Sequence, residues 1–171
     1  MNRTLIALVE DKPGVLNRVA SLFRRRAFNI ESLTVGHTEH PGISRMTIVV
    51  DSDRTDAQKV AQNLRKLVSV IQVEDVTERP AVMRDLALIR VRVNGGSRSE
   101  VMQIVDAFRA RVVDVGLDTL MIEVTGIEEK VEGLVEVLRP FGIVEMVRTG
   151  RVAMVRGGNG FNEQSLDFAL R

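Results

Sequence analysis

The sequence predicts an α+β protein made of two successive copies of one unit, in which strands and helices follow the order βαββαβ. Three observations support this prediction. Short apolar runs alternate with amphipathic segments of helical period along both halves of the 171-residue chain. The two halves match in register, because Leu16 and Phe23 correspond to Val101 and Phe108 at a common offset of 85 (101 − 16 and 108 − 23). A segment that contains Pro80 separates the halves and is typical of a linker.

The first strand and the first helix are predicted within residues 5–27. Residues 5–9 (LIALV) form a nearly continuous apolar run, which is typical of a buried strand. The helix follows Asp11-Lys12-Pro13-Gly14, since proline is favoured in a first helical turn, where its missing N–H costs nothing. The predicted core side of this helix consists of Leu16, Val19, Ala20, Phe23 and Ala27.

Three further strands and one helix complete the first unit. Residues 30–36 (IESLTVG) mix β-branched and polar side chains and predict an edge strand, whereas residues 45–51 (RMTIVVD) predict a central one. A second helix is predicted beyond Ser52 or Asp53, either of which is a candidate N-cap. Its apolar positions are Ala57, Val60, Ala61, Leu64 and Val68. Residues 70–76 (VIQVEDV) predict the last strand.

The second half repeats this order with shorter loops. Strands are predicted at residues 86–93, 112–115, 120–124 and 143–148. Ser97 and Glu100 have the spacing of a capping box at the start of the first helix, and Pro140 ends the second helix. The apolar positions of these helices are Val101, Ile104, Val105 and Phe108, and then Ile127, Val131, Leu134, Val135 and Leu138.

These elements predict two ferredoxin-like domains, each a four-stranded antiparallel sheet with two helices on one face. In the strand order 4-1-3-2 of that fold, strands 1 and 3 are central, and in this sequence they are the most apolar ones. The predicted boundaries are 1–77 for the first domain, 78–84 for a linker, 85–156 for the second domain and 157–171 for a flexible tail.

The second strand is unusually apolar for an edge, since it contains Ile30, Leu33 and Val35. An exposed edge of this kind can pair with its copy in a second chain and join two sheets. A domain of about 75 residues is also marginally stable alone and gains from such pairing. The sequence therefore predicts a homodimer.

Composition argues against several classes of protein. The chain has 24 Lys and Arg and 23 Asp and Glu, and a net charge of +1 disfavours nucleic-acid binding. It has no cysteine, which excludes disulfides, thiolate nucleophiles and cysteine-ligated metals. No apolar run is long enough for a membrane span and no signal peptide is evident, so we predict a cytoplasmic protein. Both histidines, His37 and His40, lie in one loop, where a solvated hairpin tip is favoured over a metal site.

The strongest candidate for a binding site is the turn from Asp11 to Leu16, together with Asn29. The first N–H groups of a helix have no internal partners and attract a carboxylate, and Gly14 lets a small ligand approach the backbone. The ammonium group of an amino acid needs acceptors, which Asp11 and Asn29 can supply. Since Asn29 begins the strand expected at the dimer seam, the site would combine one chain's turn with the other chain's strand. The alternative is that Pro13-Gly14 only starts a helix and Asn29 only turns the chain.

Several motifs resemble one known family. Asp11-Lys12-Pro13-Gly14-Val15-Leu16, between the first strand and the first helix, resembles the signature of the ACT domain, a regulatory module that binds amino acids at domain interfaces. Residues 28–36 (FNIESLTVG) and 44–48 (SRMTI) are more specific and are similar to the small regulatory subunit of acetolactate synthase, also called acetohydroxyacid synthase. Residues 86–89 (LALI), 141–143 (FGI) and 148–150 (RTG) extend the resemblance over nearly the whole chain. One departure is Ala27, where the family more often has glycine.

The resemblance implies a regulatory protein that is not itself an enzyme and holds no cofactor. It implies a thiamine-diphosphate-dependent catalytic (large) subunit as partner, which this chain activates in branched-chain amino acid biosynthesis. It also implies feedback inhibition by valine, and sometimes by leucine or isoleucine. The implied effector contacts are Asp11, Gly14, Val15 and Leu16 of one chain and Asn29, Ile30 and Val35 of the other.

Two other functions stay open at this point. A free-standing ACT-type sensor that acts on a different target protein would bind an amino acid without affecting acetolactate formation. An enzyme that uses the loop of His37 and His40 would show turnover or bound metal in the isolated chain.

Overall fold

The structure, a computed structural model, describes residues 1–157. The chain divides into two compact units. The first unit contains Met1–Val82 together with the described residues from Arg151 onward, and the second contains Met83–Gly150. The flexible tail predicted for residues 157–171 lies, apart from Gly157, outside the described residues.

The first unit contains the predicted βαββαβ order. Its elements are β1 (Asn2–Glu10), α1 (Val15–Arg26), β2 (Ile30–His37), β3 (Ile43–Asp51), α2 (Ala57–Leu64) and β4 (Val70–Asp75). The strands form one antiparallel sheet in the order β2-β3-β1-β4, which confirms the predicted arrangement. One face of the sheet packs against both helices, because alternate residues of the central strands, such as Leu5, Ala7, Met46 and Ile48, are apolar and buried there.

The second unit repeats this plan. Its elements are β5 (Ala81–Arg92), α3 (Ser97–Ala107), β6 (Arg111–Val115), β7 (Thr119–Gly126), α4 (Glu128–Leu138) with a 3-10 turn (Arg139–Phe141), and β8 (Ile143–Arg148). The strand order β6-β7-β5-β8 is the one predicted, and Ala87, Ile89 and Val91 of β5 lie in its core. A further strand, β9 (Val152–Val155), pairs with β5. The sequence analysis did not predict β9.

The chain segments around the second unit differ from the predicted boundaries. β5 begins at Ala81, inside the segment 78–84 that we predicted to be a linker. Residues 151–156, which we placed in the second domain of 85–156, group with the first unit instead, as does Gly157, which we placed in the tail. The reason is hydrogen bonding, since the Arg156 N–H donates to the Pro80 carbonyl at 2.7 Å and Arg45 Nη2 donates to the Ala153 carbonyl at 2.7 Å.

The buried face of α1 is rotated from the predicted one. Its buried residues are Val15, Val19, Leu22 and Phe23. The predicted core positions Leu16, Ala20 and Ala27 are exposed, so that part of the prediction was wrong. Val19 and Phe23 belong to both faces, and the two faces differ by a rotation of about 60° around the helix axis. The helical period alone therefore did not decide between them, and Leu16 is left on the surface.

Helix α1 ends at Ala27, which adopts the left-handed backbone conformation (φ 51°) that favours glycine. Alanine there costs about 1–2 kcal/mol, and the greater freedom of glycine in the unfolded chain offsets roughly 0.4–1 kcal/mol of it. Ala27→Gly is therefore expected to raise the free energy of unfolding by about 0.5–1 kcal/mol, measured by urea denaturation. Ala20→Gly, at an exposed position inside the same helix, is the control and should lower it by a similar amount. Equal effects of the two substitutions would contradict this explanation.

The helix caps differ in position from those predicted. Asp56, and neither Ser52 nor Asp53, caps α2 by accepting hydrogen bonds from the N–H groups of Gln58 and Lys59. The bond from the Lys59 N–H contributes most to holding the pKa of the Asp56 carboxyl below its usual value. The predicted partner of Ser97 was also wrong, since Ser97 exchanges reciprocal hydrogen bonds with Asn94 and not with a residue inside α3.

Two predicted core positions at helix ends are exposed. Val68 is 96% exposed because α2 ends four residues earlier, and Ile127 is half exposed because it precedes the first turn of α4. The other apolar positions predicted for these two helices are buried. None of the helices in residues 1–157 is long and apolar enough to cross a membrane.

Candidate functional site

The turn between β1 and α1 leaves the start of the helix open. Gly14 has φ +85° and precedes the first helical residue. The Val15 N–H donates to the Lys12 carbonyl at 3.3 Å, and no side chain among residues 1–157 accepts a hydrogen bond from the N–H groups of the first turn. A Cβ at Gly14 would meet no described atom within 4 Å apart from its chain neighbours, so the backbone there borders open space. The turn is fixed on its other side, where the Asp11 N–H donates to the Gly42 carbonyl at 2.8 Å. A helix start of this kind can accept a carboxylate group.

Asp11 places a carboxylate beside this helix start. Its Oδ2 lies 3.2 Å from Nδ1 of His37, the last residue of β2. Both side chains are substantially exposed, so the pair contributes little to stability and leaves the carboxylate accessible to a ligand cation. The sequence analysis placed His37 in a solvated hairpin loop, in preference to a metal site, and missed both its position at the end of β2 and this contact. Within residues 1–157 no group of three or more His, Asp or Glu side chains is arranged to hold a metal ion.

The apolar residues of the predicted site divide into buried and exposed ones. Val15 lies in the hydrophobic core and offers a ligand only its backbone. Leu16 is 49% exposed and Val35 41% exposed, so both present apolar surface. Large exposed apolar side chains beside a polar turn are suited to contact a small aliphatic group or a second protein surface.

Asn29 and Ile30 lie where β2 begins. The Asn29 N–H donates to Thr55 Oγ1 at 3.0 Å, and Asn29 Nδ2 donates to Glu31 Oε1 at 2.8 Å. Thr55 is buried and thereby fixes the backbone of Asn29, a role that the sequence analysis missed. A buried hydroxyl in the loop before a helix carries no sequence signal that separates it from an ordinary turn residue. Ile30 is partly buried against the core.

One chain does not bring all of these residues together. Ile30 pairs with Val50, and Val50 pairs with Arg3, so Asn29 lies near the start of β1. The turn of the predicted site follows Glu10, at the other end of β1. Arg3 and Glu10 are seven residue steps apart along β1 (10 − 3), which corresponds to about 23 Å. Asp11, Gly14, Val15 and Leu16 therefore form one group, and Asn29 and Ile30 lie at the opposite end of the sheet.

Comparison with known families covers both units. Residues 5–72 match the model of an AHAS (acetohydroxyacid synthase) small subunit-like ACT domain, and residues 84–157 match the model of the small subunit of acetolactate synthase. The chain belongs to the acetolactate synthase small-subunit family. This finding confirms the resemblance and the fold of two ACT-like ferredoxin domains inferred from the sequence.

Relatives of this family are similar over almost their whole length. A protein of Archaeoglobus fulgidus named probable acetolactate synthase small subunit is 53% identical over 157 residues, covering 92% of this chain and 98% of the relative. The acetolactate synthase small subunit of Bacillus subtilis is 44% identical over 158 residues, covering 92% of each. The crystal structure of the acetolactate synthase small subunit from Thermotoga maritima is 39% identical, with a TM-score of 0.84 and coverage of 92% of this chain and 99% of that one.

Proposed function

We propose that this chain is the regulatory subunit of an acetolactate synthase, which activates the thiamine-diphosphate-dependent catalytic subunit and makes it sensitive to valine. The chain itself carries out no chemistry and holds no cofactor. Membership of the small-subunit family supports the assignment to this enzyme. The observation that carries the effector proposal is the open start of α1 at Gly14.

The groups around this helix start match the parts of a branched-chain amino acid. The N–H groups after Gly14 bind the carboxylate, and Asp11 accepts from the ammonium. Leu16 contacts the side chain, and so does Val35 of the same chain and not the Val35 of the second chain that the resemblance implies, because Val35 pairs with Met46 and Met46 with Ala7, nearer the turn. Burying a valine side chain contributes about 1.5–3 kcal/mol, the helix terminus about 0.3–2 and each charge-assisted hydrogen bond about 1.5–3. After the cost of association these sum to roughly −4 to −8 kcal/mol, which corresponds to millimolar to micromolar affinity.

The proposed site is completed by a second chain. β2 is the outermost strand of its sheet, so its free edge can pair with the same edge of a copy. In a twofold pairing the two strands run antiparallel, and the start of one lies beside the end of the other. The partner subunit's Asn29 then lies next to the turn at Gly14 and supplies a second acceptor for the ammonium. Valine binding and dimerisation are linked in consequence.

Regulation follows from two arrangements of this dimer. Valine favours the arrangement that closes the turn of one chain on the strand of the other, and the catalytic subunit is most active with the alternative arrangement. Leucine and isoleucine differ from valine by one methylene each, which changes binding by only about 1–3 kcal/mol. The site therefore selects the branched-chain class more strongly than any one member.

The test is to mix the full chain with a thiamine-diphosphate-dependent acetolactate synthase catalytic subunit from the same source. We expect acetolactate formation to rise when the chain is added, and to fall again when valine is added at micromolar to millimolar concentration. The catalytic subunit alone, with and without valine, is the control. Valine binding without any effect on acetolactate formation would instead indicate a sensor for a different target protein.

A further inference from the structure

The chain returns to the first unit after it has completed the second. Residues 151–156, here called the C-terminal strap, include β9 and hydrogen-bond to elements of the first unit. Arg151 Nη1 donates to Thr4 Oγ1 of β1 at 3.1 Å, and the Arg151 N–H donates to Ser32 Oγ of β2 at 3.4 Å. Arg45 of β3 donates to the carbonyl of Ala153. The strap thus contacts three adjacent strands of the sheet.

These contacts lie on the sheet face that points away from the helices. Thr4, Ile6, Thr47 and Val49 project to that face, and all four are buried. Burial alternates along the strap as it does along a strand, since Ala153 is buried and Val152 and Met154 are exposed. This face of the sheet is therefore covered, and the strap takes part in covering it.

A charged side chain holds the strap. Burial lowers the pKa of the Arg45 guanidinium, whereas the charge of Glu39 acts to raise it. An arginine taken out of water needs strong acceptors, and the Ala153 carbonyl at 2.7 Å is one of them. Displacement of the strap removes this acceptor from Arg45, so the docked strap and the position of β3 depend on one another.

Two buried polar atoms destabilise the sheet face that the strap contacts. Thr34 Oγ1 and Gln72 Oε1 are buried on it without a hydrogen-bond partner among residues 1–157. Buried polar atoms without partners are unfavourable, because water satisfies them when they are exposed. These two atoms therefore offset part of the stability that the closed face gains from burying apolar surface.

The strap is also hydrogen-bonded to the chain segment that enters the second unit. The second unit has two covalent connections, at Val82–Met83 and at Gly150–Arg151. The hydrogen bond from the Arg156 N–H to the Pro80 carbonyl fastens the end of the strap to the first connection. Both connections of the second unit are thus tied to the sheet that contains β2.

We propose that the C-terminal strap transmits effector binding at β2 to the second unit. Ser32, which accepts from the Arg151 N–H, lies two residues after Ile30 on the strand that takes part in the effector site. A displacement of β2 by the effector changes the docking of the strap and thereby both connections of the second unit. The inference rests on the proposed binding of valine, and Arg45 and Arg151 are positioning residues in it.

The test compares Arg45→Met and Arg151→Met in the full chain with Arg139→Met, which replaces an exposed arginine of the second unit. Three quantities are measured for each: valine affinity by calorimetry, valine inhibition of the complex with the catalytic subunit, and hydrogen exchange of the strap amides. In the wild type, valine should change exchange in the strap. In both strap variants, valine affinity should stay within about threefold while the concentration for half-inhibition rises about tenfold, within the range of known allosteric couplings. Arg139→Met should behave as wild type.

The outcomes separate this inference from the function on which it rests. Absence of valine binding to the wild type overturns the proposed function, and the inference with it. Normal valine binding and normal inhibition in variants whose strap amides exchange faster overturns the inference alone. The inference alone is also overturned if valine binds the wild type and inhibits the enzyme without changing hydrogen exchange in the strap.

Discussion

Replacing Gly14 with aspartate is expected to abolish valine inhibition while activation of the catalytic subunit is retained. The position has room for the side chain, because a Cβ there meets open space, and aspartate adopts a positive φ at a lower cost than most residues. The new carboxylate lies where the carboxylate of valine would bind and repels it. Loss of the helix-terminus interaction and of one charge-assisted hydrogen bond corresponds to about 3 kcal/mol, or roughly a hundredfold in valine affinity.

The matched control for this variant is Gly14→Asn, which has nearly the same shape without the charge. We expect it to fold equally well and to lose much less valine affinity, about tenfold or below, since only steric crowding remains. Calorimetry on both variants and on the wild type gives the comparison. Unchanged valine inhibition in Gly14→Asp would show that valine does not bind at this turn.

Replacing Val35 with lysine is expected to convert the dimer into monomers. Val35 is exposed near the end of β2, so the substitution costs the fold little, and a lysine on an edge strand opposes pairing with another edge. The twofold symmetry places two such charges in one seam. Sedimentation should show a dimer dissociation constant at least about a hundredfold higher. Valine binding should be lost as well, both because the site needs the dimer and because Val35 itself contacts the valine side chain.

Val68→Lys is the control for that experiment. Val68 is the more exposed of the two valines and lies just before β4, which forms the opposite edge of the same sheet from β2. The Val68→Lys substitution adds the same charge to the same unit, and it should leave both the dimer and valine binding unchanged. A Val35→Lys variant that sediments as wild type would place the dimer seam away from β2.

The sheet order was predictable because burial leaves a strong signal in composition. The central strands β1 and β3 are buried on both faces and contain nearly continuous apolar runs at residues 5–9 and 46–50, whereas apolar and polar residues mix throughout β2 and β4. The apolar residues on the second face of these strands also indicate that this face is covered, which the sequence analysis did not infer. Ile6 and Val49 face away from the helices, and such residues require a cover on the second face of the sheet.

The strap that contributes to this cover was not predictable from local pattern. Four residues, Val152–Val155, are too few to separate a strand from a loop, and the partners of Arg45 and Arg151 are more than one hundred residues away in sequence. The face of α1 was ambiguous for a different reason, since the period accommodates Leu16 as well as Val15. Only tertiary packing decides between neighbouring positions of this kind.

The candidate site was likewise predictable in part, where it depends on local sequence, and not where it depends on long-range strand pairing. The sequence pattern predicts the open helix start at Gly14, because proline and glycine define the local geometry. It does not reveal that Asn29 lies at the far end of the sheet, since that depends on the register of β2, β3 and β1. The contacts of Asp11 with His37 and of Asn29 with Thr55 arise from the same long-range pairing.

The most direct test of a site shared between two chains is a hybrid dimer of Gly14→Asp and Asn29→Ala chains. Each variant alone is expected to bind valine too weakly for calorimetry to detect at the concentrations that saturate the wild type, because every site in its dimer carries a defect. In a hybrid, one site combines the intact turn of the Asn29→Ala chain with the intact Asn29 of the other chain. After random exchange of chains, calorimetry should therefore recover about one quarter of the wild-type valine sites. If mixing recovers no binding while the chains do exchange, the turn and Asn29 do not meet across a dimer.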